Sequence, residues 1–243
     1  MSYIRSNKFE EGRSVLTLTE DLTKAFLIDL GLPVPQGLAF DKSGEAARYA
    51  ETLGSGAVVK ALIPTGRRGK AGAVVLTDTS EEVNTAARRL LGTEVHGFTV
   101  EKIYVESKVE ICREFYLSFS LDSFPGQILI SSSGGVDIEE THARDSETVI
   151  RGDIDPIQGV NKKQASFLWQ KAGVTGDELA AVVSVTTSLY DAFVKADAVM
   201  MEINPLVLDS DGAVSIVGAM LAIDENGLPR HPDWAEIADG RLI

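Results

Sequence analysis

Cysteine is nearly missing from this sequence, because Cys112 is the only one among 243 residues. A single thiol excludes an intramolecular disulfide and fits a reducing compartment. Long apolar runs are missing too, since no stretch reaches the roughly 18 apolar residues of a transmembrane helix. The N-terminus, with Arg5 and Glu10, lacks the apolar segment of a signal peptide. We therefore expect a cytoplasmic protein without a membrane partner.

Positive charge is also scarce, with 23 lysines and arginines against 36 acidic residues and a net charge of −13. This balance excludes a broad electrostatic footprint for DNA or RNA, so no nucleic-acid partner is expected. Any phosphate must therefore bind to a local cluster of cations. The rest of the composition is ordinary. Contents of 44% hydrophobic and 24% charged residues are typical of a folded globular chain rather than a disordered one.

Two polar residues, Glu202 and Asn204, interrupt an apolar run from Met200 to Leu208. Residues i and i+2 of an extended strand face the same side, and Pro205 biases Asn204 towards the extended conformation. Oxygen ligands on a stiff strand suit Mg²⁺, which commonly binds together with nucleotide phosphates. The alternative is a buried strand end whose two polar side chains bond to the backbone, and the residues alone leave both interpretations open.

Lys60 lies in an otherwise apolar segment, Ala57–Leu62, that predicts a strand. Burial of an unpaired ammonium is costly, so Lys60 must reach an anion or solvent. An anionic ligand is one interpretation, and a lysine at the edge of a sheet is the other.

The segment Thr65–Gly72 reads TGRRGKAG and combines three glycines with three cations. Glycines permit close backbone approach and positive φ, and the cations supply charge, so the segment suits a polyphosphate. It is not a Walker A loop, because only two residues separate Gly66 from Gly69 and an alanine follows Lys70. The alternative is a basic surface hairpin, since Ala73–Leu76 resumes a strand pattern.

These segments together resemble the nucleotide-binding subunit of succinyl-CoA synthetase and its relatives malate–CoA ligase, citryl-CoA synthetase and ATP-citrate lyase. Those proteins are ATP-grasp enzymes that join a carboxylic acid to CoA. The resemblance covers nearly all of residues 17–235. It rests on features that recur in the family's order, namely Lys60 of Val-Val-Lys, the glycine-rich loop, Glu106 and Glu114, and Glu-Ile-Asn-Pro-Leu-Val at 202–207. Gly-Gly-Val at 134–136 and His-Pro-Asp at 231–233 also resemble segments of the family.

The resemblance implies an α/β (α+β) protein with the ATP-grasp fold, in which the nucleotide lies between two lobes. Residues 1–16 would be a lead-in and residues 17–243 the ATP-grasp domain. A small α/β lobe around residues 25–100 would carry the glycine-rich loop, and the remainder would form a larger lobe with an antiparallel sheet. We expect no counterpart here of the family's C-terminal CoA-ligase domain.

The resemblance also implies roles for individual residues. Asn204 would hold Mg²⁺, and Glu202 would be the catalytic residue that orients an acceptor histidine. The cations would neutralise phosphates, Val109 would pack against the base, and the 134–135 loop would lie near the phosphate-transfer site. The residues implied to bind the nucleotide are Lys60, Gly66, Arg67, Arg68, Gly69, Lys70, Glu106, Val109, Glu114, Gly134 and Gly135.

Partners follow from the same resemblance. The family's CoA-binding domain and its phosphate-carrying histidine belong to a separate chain, and His96, His142 and His231 have no matching context here. We therefore expect a hetero-oligomer with a CoA-binding subunit that carries a phosphorylatable histidine, and a carboxylic acid as substrate. Arg67 stands where succinyl-CoA synthetases commonly have glycine and is nearer the lysine of ATP-citrate lyases, which leaves the acid open.

Two positions depart from the family. The second Mg²⁺-binding aspartate falls at Gly218 by ungapped count, and Met220 replaces a usual lysine. Loss of a carboxylate removes a charge and an oxygen from a metal site. One function is an ADP-forming acid–CoA ligase subunit that uses ATP or GTP with Mg²⁺; another is a non-catalytic, regulatory ATP-grasp module. A ligase that joins an acid to an amine fits less well, because Glu-Ile-Asn-Pro-Leu-Val is closer to the CoA branch.

Overall fold

The computed structural model describes residues 14–54, 56–65, 68–135 and 148–238. The helices are α1 Glu20–Asp29, α2 Ser43–Glu51, α3 Ser80–Leu90, α4 Lys162–Lys171, α5 Gly176–Lys195 and α6 Pro232–Ala238, with a 3₁₀ helix at Glu225–Arg230. The strands are β1 Val15–Leu18, β2 Gly37–Phe40, β3 Ala57–Leu62, β4 Val74–Thr77, β5 Glu94–Val95, β6 Phe98–Thr99, β7 Lys102–Ser107, β8 Arg113–Ser120, β9 Gln127–Ser131, β10 Ile150–Asp153, β11 Ala198–Leu208, β12 Val214–Ile216 and β13 Ala219–Asp224.

Two antiparallel sheets organise the chain, which is the mixed α/β architecture expected. The small sheet has the order β2-β7-β3-β4, and α2 and α3 pack on it. The large sheet has the order β1-β13-β11-β8-β9-β10, with β12 paired to β11. The small sheet runs from Gly37 to Ser107, so it reaches beyond residue 100, whereas α1 packs on β13 of the large sheet.

Each sheet covers its own hydrophobic core. Beneath the large sheet, α4 and α5 pack together and bury Trp169, Phe115 and Phe119. The Trp169 indole N–H donates to the Thr186 hydroxyl at 2.9 Å, which satisfies its one buried donor. Trp169 is therefore part of the core rather than a platform for a cofactor. Among the described residues, no helix has both the length and the apolarity needed to cross a membrane.

The boundaries differ from the sequence pattern where backbone pairing changes direction. Alternation over Phe98–Val105 predicts one strand, but the structure has β6 and β7 with a break between them. At the break, the Val100 N–H donates to the Thr93 carbonyl at 2.9 Å, which holds this part of the chain against the preceding turn. Alternation of side chains does not distinguish one strand from two that pair with different neighbours.

Candidate functional site

A cavity of about 640 Å³ lies between the two sheets. Its lining from the small sheet includes Lys60 of β3 and Glu106 of β7, and its lining from the large sheet includes Glu114 of β8 and Asn204 of β11. Ligand pockets of small molecules commonly enclose roughly 300–1,000 Å³. The cavity therefore has room for a ligand of nucleotide size.

The structure brings most of the predicted site residues to this cavity. Gly134 lies beside it, where its N–H donates to the Glu114 carbonyl at 3.0 Å. Lys70 is exposed on the glycine-rich loop, and Gly66 and Arg67 lie outside the described residues. The predicted residues that line the cavity are Lys60, Arg68, Gly69, Glu106, Val109, Glu114, Gly135, Glu202 and Asn204.

Lys60 is held by two carboxylates and one carbonyl. Its Nζ lies 2.8 Å from Glu20 Oε1 and 2.5 Å from Glu106 Oε1, and it donates to the Val217 carbonyl at 2.6 Å. Lys24 Nζ pairs with the same two glutamates, at 2.8 Å from Glu20 Oε1, and donates to the same carbonyl at 2.7 Å. The buried ammonium of Lys60 thus reaches anions, as its place in an apolar strand requires.

Arg68 completes the cluster by pairing with Glu20 Oε2 and donating to the Ala61 carbonyl at 3.1 Å. We call the five charged residues Glu20, Lys24, Lys60, Arg68 and Glu106 the Glu20 network. It contains three cations and two carboxylates and so carries one net positive charge. The network joins the glycine-rich loop and the small sheet to α1.

The network is buried, and the pKa values of its members reflect that. Glu20 and Glu106 are 2% and 1% exposed, and Lys24 is 0% exposed. Burial alone would raise the pKa of Glu20, but Arg68, Lys24 and Lys60 together hold it well below its ordinary value. Burial would lower the pKa of Lys60, yet Glu20 and Glu106 raise it above normal. Both groups are therefore ionised at neutral pH.

Burial lowers the pKa of Lys24, although Glu20 opposes this effect. Lys24 also lies over the ring of Tyr104, with Nζ 5.3 Å from the ring centroid. Burial, followed by the nearby charge of Glu106, raises the pKa of that phenol, so Tyr104 stays neutral. Lys24 thus supports the network from the protein interior, away from the cavity that Lys60 and Arg68 line.

Sequence reasoning missed Glu20 and Lys24. The apolar spacing of α1 predicts a buried face through Leu22, Phe26 and Leu27. Leu27 is buried, but the other buried residues of the helix are Glu20, Thr23 and Lys24. The only local signal is the i,i+4 spacing of an acid and a lysine, which usually marks a solvent-exposed pair. The partners in the fold lie 40 and 82 residues away, so the sequence offers no local indication of burial.

The opposite side of the cavity is shaped by backbone contacts around Asn204. The Gly135 N–H donates to Asn204 Oδ1 at 2.7 Å. Gly135 has φ +88, and a Cβ there would lie 2.5 Å from Glu114 Oε2. The pairing of β11 with β8 shifts register between Ile203 and Leu206, so Asn204 lies at an irregularity. Glycine is thus required at 135 for both its conformation and its close approach.

Gly218 also contacts Asn204 closely. A Cβ on Gly218 would lie 2.0 Å from the Asn204 carbonyl oxygen, and the Asn204 N–H donates to the Gly218 carbonyl at 2.9 Å. No side chain fits at position 218 without a shift of the backbone. The position at which the resemblance implies a carboxylate therefore has no room for a side chain.

The oxygen donors that could hold a metal are few. In the described part of the chain, no three His, Cys, Asp or Glu residues group as metal ligands. Glu202, Glu114 and the Asn204 carboxamide line the cavity, and a carboxamide oxygen has a second lone pair beyond the one that Gly135 uses. Such a set fits Mg²⁺, which often takes one or two protein oxygens and fills its shell with phosphate and water.

The cavity also has an apolar part, of which the sequence resemblance implied only Val109. Leu76 and Ile111 are 69% and 49% exposed, yet both line the cavity. With Val58, Val74 and Val109 they form an apolar slot. Apolar walls with a few fixed polar groups are typical of small-molecule sites. Single exposed hydrophobic residues carry no signal in a sequence, because most protein surfaces have them.

Residues 17–208 match the ATP-grasp domain. The chain is 38% identical over 226 residues to the succinate–CoA ligase [GDP-forming] subunit beta of Thermus thermophilus, covering 92% of this chain and 60% of that subunit. It is 39% identical over 230 residues to the [ADP-forming] subunit beta of Persephonella marina, covering 90% and 59%. The chain thus spans about three fifths of the length of these curated relatives.

Solved structures show the same fold. The ATP citrate lyase from Methanothrix soehngenii, in complex with citrate and coenzyme A, matches with a TM-score of 0.68 and 20% identity over 93% of this chain and 54% of that one. The dinucleotide-forming acetyl-coenzyme A synthetase 1 of Ca. Korarchaeum cryptofilum matches with a TM-score of 0.65 and 18% identity over 85% and 93%.

Proposed function

This chain belongs to the ATP-grasp family, and on that premise we propose that it is the nucleotide-binding portion of an acid–thiol ligase. The reaction would form an acyl-CoA from a carboxylic acid, CoA and ATP or GTP. The observation that carries the proposal is that Lys60 and Arg68 share one cavity with Glu202 and Asn204. The similarity to succinate–CoA ligase beta subunits, both GDP-forming and ADP-forming, supports the reaction class. It does not distinguish ATP from GTP as the nucleotide.

The two parts of the cavity match the two parts of a nucleotide. The apolar slot around Leu76 and Ile111 would take the base, and Lys60 and Arg68 would bind phosphate oxygens. Charge matters because the Glu20 network supplies one net positive charge, whereas a triphosphate carries several negative ones. When bound, Mg²⁺ would supply the further positive charge, held by Asn204 Oδ1 with Glu202 or Glu114 and with water.

Transfer of a phosphoryl group depends mainly on position and charge. Glu202 lies next to Tyr116, whose hydroxyl is 3.4 Å from Glu202 Oε2. In this proposal, Glu202 orients the acceptor histidine of a CoA-binding subunit in a hetero-oligomer. Lys60 and Arg68 hold the phosphates while the walls of the cavity limit the access of water.

Titration calorimetry with Mg-ATP and Mg-GTP tests the proposal. We expect saturable binding by the wild-type chain and at least about tenfold weaker binding by Lys60→Met, because a buried phosphate contact is lost. Lys42→Met is the matched control, since Lys42 forms an exposed pair with Glu45 and should bind like the wild type. Absence of saturable binding up to millimolar nucleotide by a folded chain would overturn the proposal.

A second candidate is a non-catalytic ATP-grasp module that binds nucleotide as a regulator. The observation that favours it is the packing of Gly218 against the Asn204 carbonyl, which leaves no room for a second metal-binding side chain there. This candidate predicts nucleotide binding that is insensitive to Mg²⁺. It also predicts no transfer of labelled γ-phosphate to a CoA-binding subunit of a succinate–CoA ligase, whereas the leading proposal predicts a phosphorylated histidine on that subunit.

A further inference from the structure

The Lys60 ammonium has no N–H left for a ligand in this structure. An ammonium has three donors. Those of Lys60 face Glu20 Oε1 at 2.8 Å, Glu106 Oε1 at 2.5 Å and the Val217 carbonyl at 2.6 Å. An incoming phosphate oxygen must therefore replace one of these three acceptors.

Two of the acceptors are carboxylates, and Glu20 is the one that joins Lys60 to a second cation of the cavity lining. One of its oxygens faces Lys60 and the other faces Arg68 on the glycine-rich loop, so a single carboxylate bridges both cations. A phosphate group binds two cations in the same way, through separate oxygens. Glu20 itself lines the cavity, so a ligand can reach the position that its carboxylate occupies.

We propose that, in the nucleotide-free protein, the Glu20 carboxylate pairs with the two phosphate-binding cations, Lys60 and Arg68. A polyphosphate then binds by displacing this carboxylate from both of them. The inference rests on the proposed function, since it concerns the affinity of the same site. Its consequence is that Glu20 weakens nucleotide binding while it holds the glycine-rich loop against α1 through Arg68.

Lys24 explains how the displaced carboxylate remains satisfied. Its Nζ lies 2.8 Å from Glu20 Oε1, and its side chain is 0% exposed. Lys24 is buried behind the residues that line the cavity, so a ligand there does not reach it. After the exchange, Glu20 keeps Lys24 as its partner, which avoids the large cost of an unpaired buried charge. If Lys60 and Arg68 were the only cations of the network, the displaced Glu20 carboxylate would have no cation left to pair with.

Glu20→Gln tests the proposal, because glutamine keeps the shape of the side chain and one acceptor oxygen but removes the charge. The probes are inorganic tripolyphosphate and Mg-ATP, measured by titration calorimetry. We expect both to bind roughly tenfold more tightly to Glu20→Gln than to the wild type, as one opposing charge close to the phosphates is gone. Asp29→Asn, an exposed carboxylate on the same helix, is the matched control and should bind within about twofold of the wild type.

The sign of the effect separates an internal competitor from a residue with a structural role. A structural role predicts that Glu20→Gln lowers both the melting temperature and the affinity. The proposal predicts a lower melting temperature without ligand, tighter binding, and a larger rise in melting temperature when tripolyphosphate is added. Equal or weaker binding by the variant, with saturable binding by the wild type, overturns the inference and leaves the proposed function intact. Absence of binding by a folded wild-type chain removes the proposed function itself.

If Glu20→Gln does not fold, Glu20→Asp provides a second test of the proposal. Aspartate retains the charge that the buried cations need, but it is one methylene shorter and cannot bridge Lys60 and Arg68 as Glu20 does. We expect tripolyphosphate to bind about threefold more tightly to this variant. An affinity equal to or below that of the wild type would contradict the proposal that Glu20 competes with phosphate for Lys60 and Arg68.

Discussion

The two sides of the cavity are built in different ways. On the Lys60 side, charged side chains from α1, β3 and β7 form a buried network in which each lysine has three acceptors. On the Asn204 side, the backbone determines the geometry, because Gly135 donates to the carboxamide and Gly218 packs against its carbonyl. One side is held by charge, and the other is held by close contact of main chains.

This difference determines which substitutions each side tolerates. A buried charge that loses its partner is costly even when the new residue has the same shape. A backbone contact is insensitive to charge but cannot accept an added atom at 2.0 Å, the distance from a Gly218 Cβ to the Asn204 carbonyl. Isosteric loss of charge should therefore affect the Glu20 network most, and added carbon atoms should affect the Asn204 side most.

Glu106→Gln should have the largest effect. Glu106 is 1% exposed and faces Lys60 through one oxygen and Lys24 through the other. Its neutralisation leaves three cations with one carboxylate, so we expect a loss of about 3–5 kcal/mol in the free energy of unfolding. Urea denaturation at pH 7 measures the loss.

The matched control for Glu106→Gln is the same substitution in an exposed pair. Glu45 lies 3.4 Å from Lys42, and both side chains are largely in solvent. Glu45→Gln should change the free energy of unfolding by less than about 0.5 kcal/mol. Similar losses for the two variants would show that burial of the network does not set its contribution to stability.

Gly218→Ala and Gly218→Asp should come next. The new Cβ would lie 2.0 Å from the Asn204 carbonyl oxygen, so the strand must move, and we expect a loss of about 2–3 kcal/mol for both variants. We also expect no gain in Mg²⁺-dependent nucleotide affinity from the aspartate, because the backbone that carries Asn204 must shift to admit it. Thermal denaturation and calorimetry with Mg-ATP measure the two effects.

Gly44→Ala is the control for these variants, since Gly44 lies in α2 and the nearest atom to a Cβ there is 4.0 Å away. Alanine should stabilise that helix by about 0.5–1 kcal/mol. A clear rise in Mg²⁺-dependent affinity of Gly218→Asp would mean that the site does accept a second carboxylate.

The sequence-based predictions for the candidate site rest on local signals. Lys60 in an apolar strand and the glycines and cations of Thr65–Gly72 each form a contiguous signal, as do Glu202 and Asn204 on β11. The sequence does not predict the Glu20 network, because Glu20 on α1 pairs with Lys60 across 40 residues. Nor does it predict that Gly218 has no room for a side chain, since that follows from the register of two strands.

The fold, like the site, is predictable where the signal is local and is not where it depends on distant segments. The strand predicted from the mostly apolar segment Ala57–Leu62 has the predicted limits. Strand breaks depend on pairing between distant segments, as at Phe98–Val105, and local alternation does not reveal them. The two-lobed ATP-grasp architecture was predictable because several separate motifs occur in the family's order.

Glu20→Gln should make the free energy of unfolding depend less steeply on pH in the acid range. Arg68 and its neighbouring lysines overcome the effect of burial and hold the pKa of Glu20 well below its ordinary value of 4.5. A carboxyl with a lowered folded pKa gives stability that is complete above the unfolded pKa and lost as the pH falls through the folded pKa. Between about pH 5 and pH 2, the wild-type slope should exceed that of Glu20→Gln by up to about 1.4 kcal/mol per pH unit. Urea midpoints across this range measure it, and parallel curves would contradict the pairing.

Asn204→Ala should have the smallest effect, and its comparison with Asn204→Asp tests the Asn204 side most finely. Alanine removes the acceptor of the Gly135 N–H, which should cost about 1 kcal/mol. Aspartate keeps an oxygen for that N–H, so its free energy of unfolding should stay within about 0.5 kcal/mol of the wild type. Aspartate also adds a carboxylate without adding an atom near Gly218, so Mg²⁺-dependent nucleotide affinity should rise in this variant alone. Equal destabilisation by both substitutions would mean that the Gly135 contact does not hold the carboxamide in place.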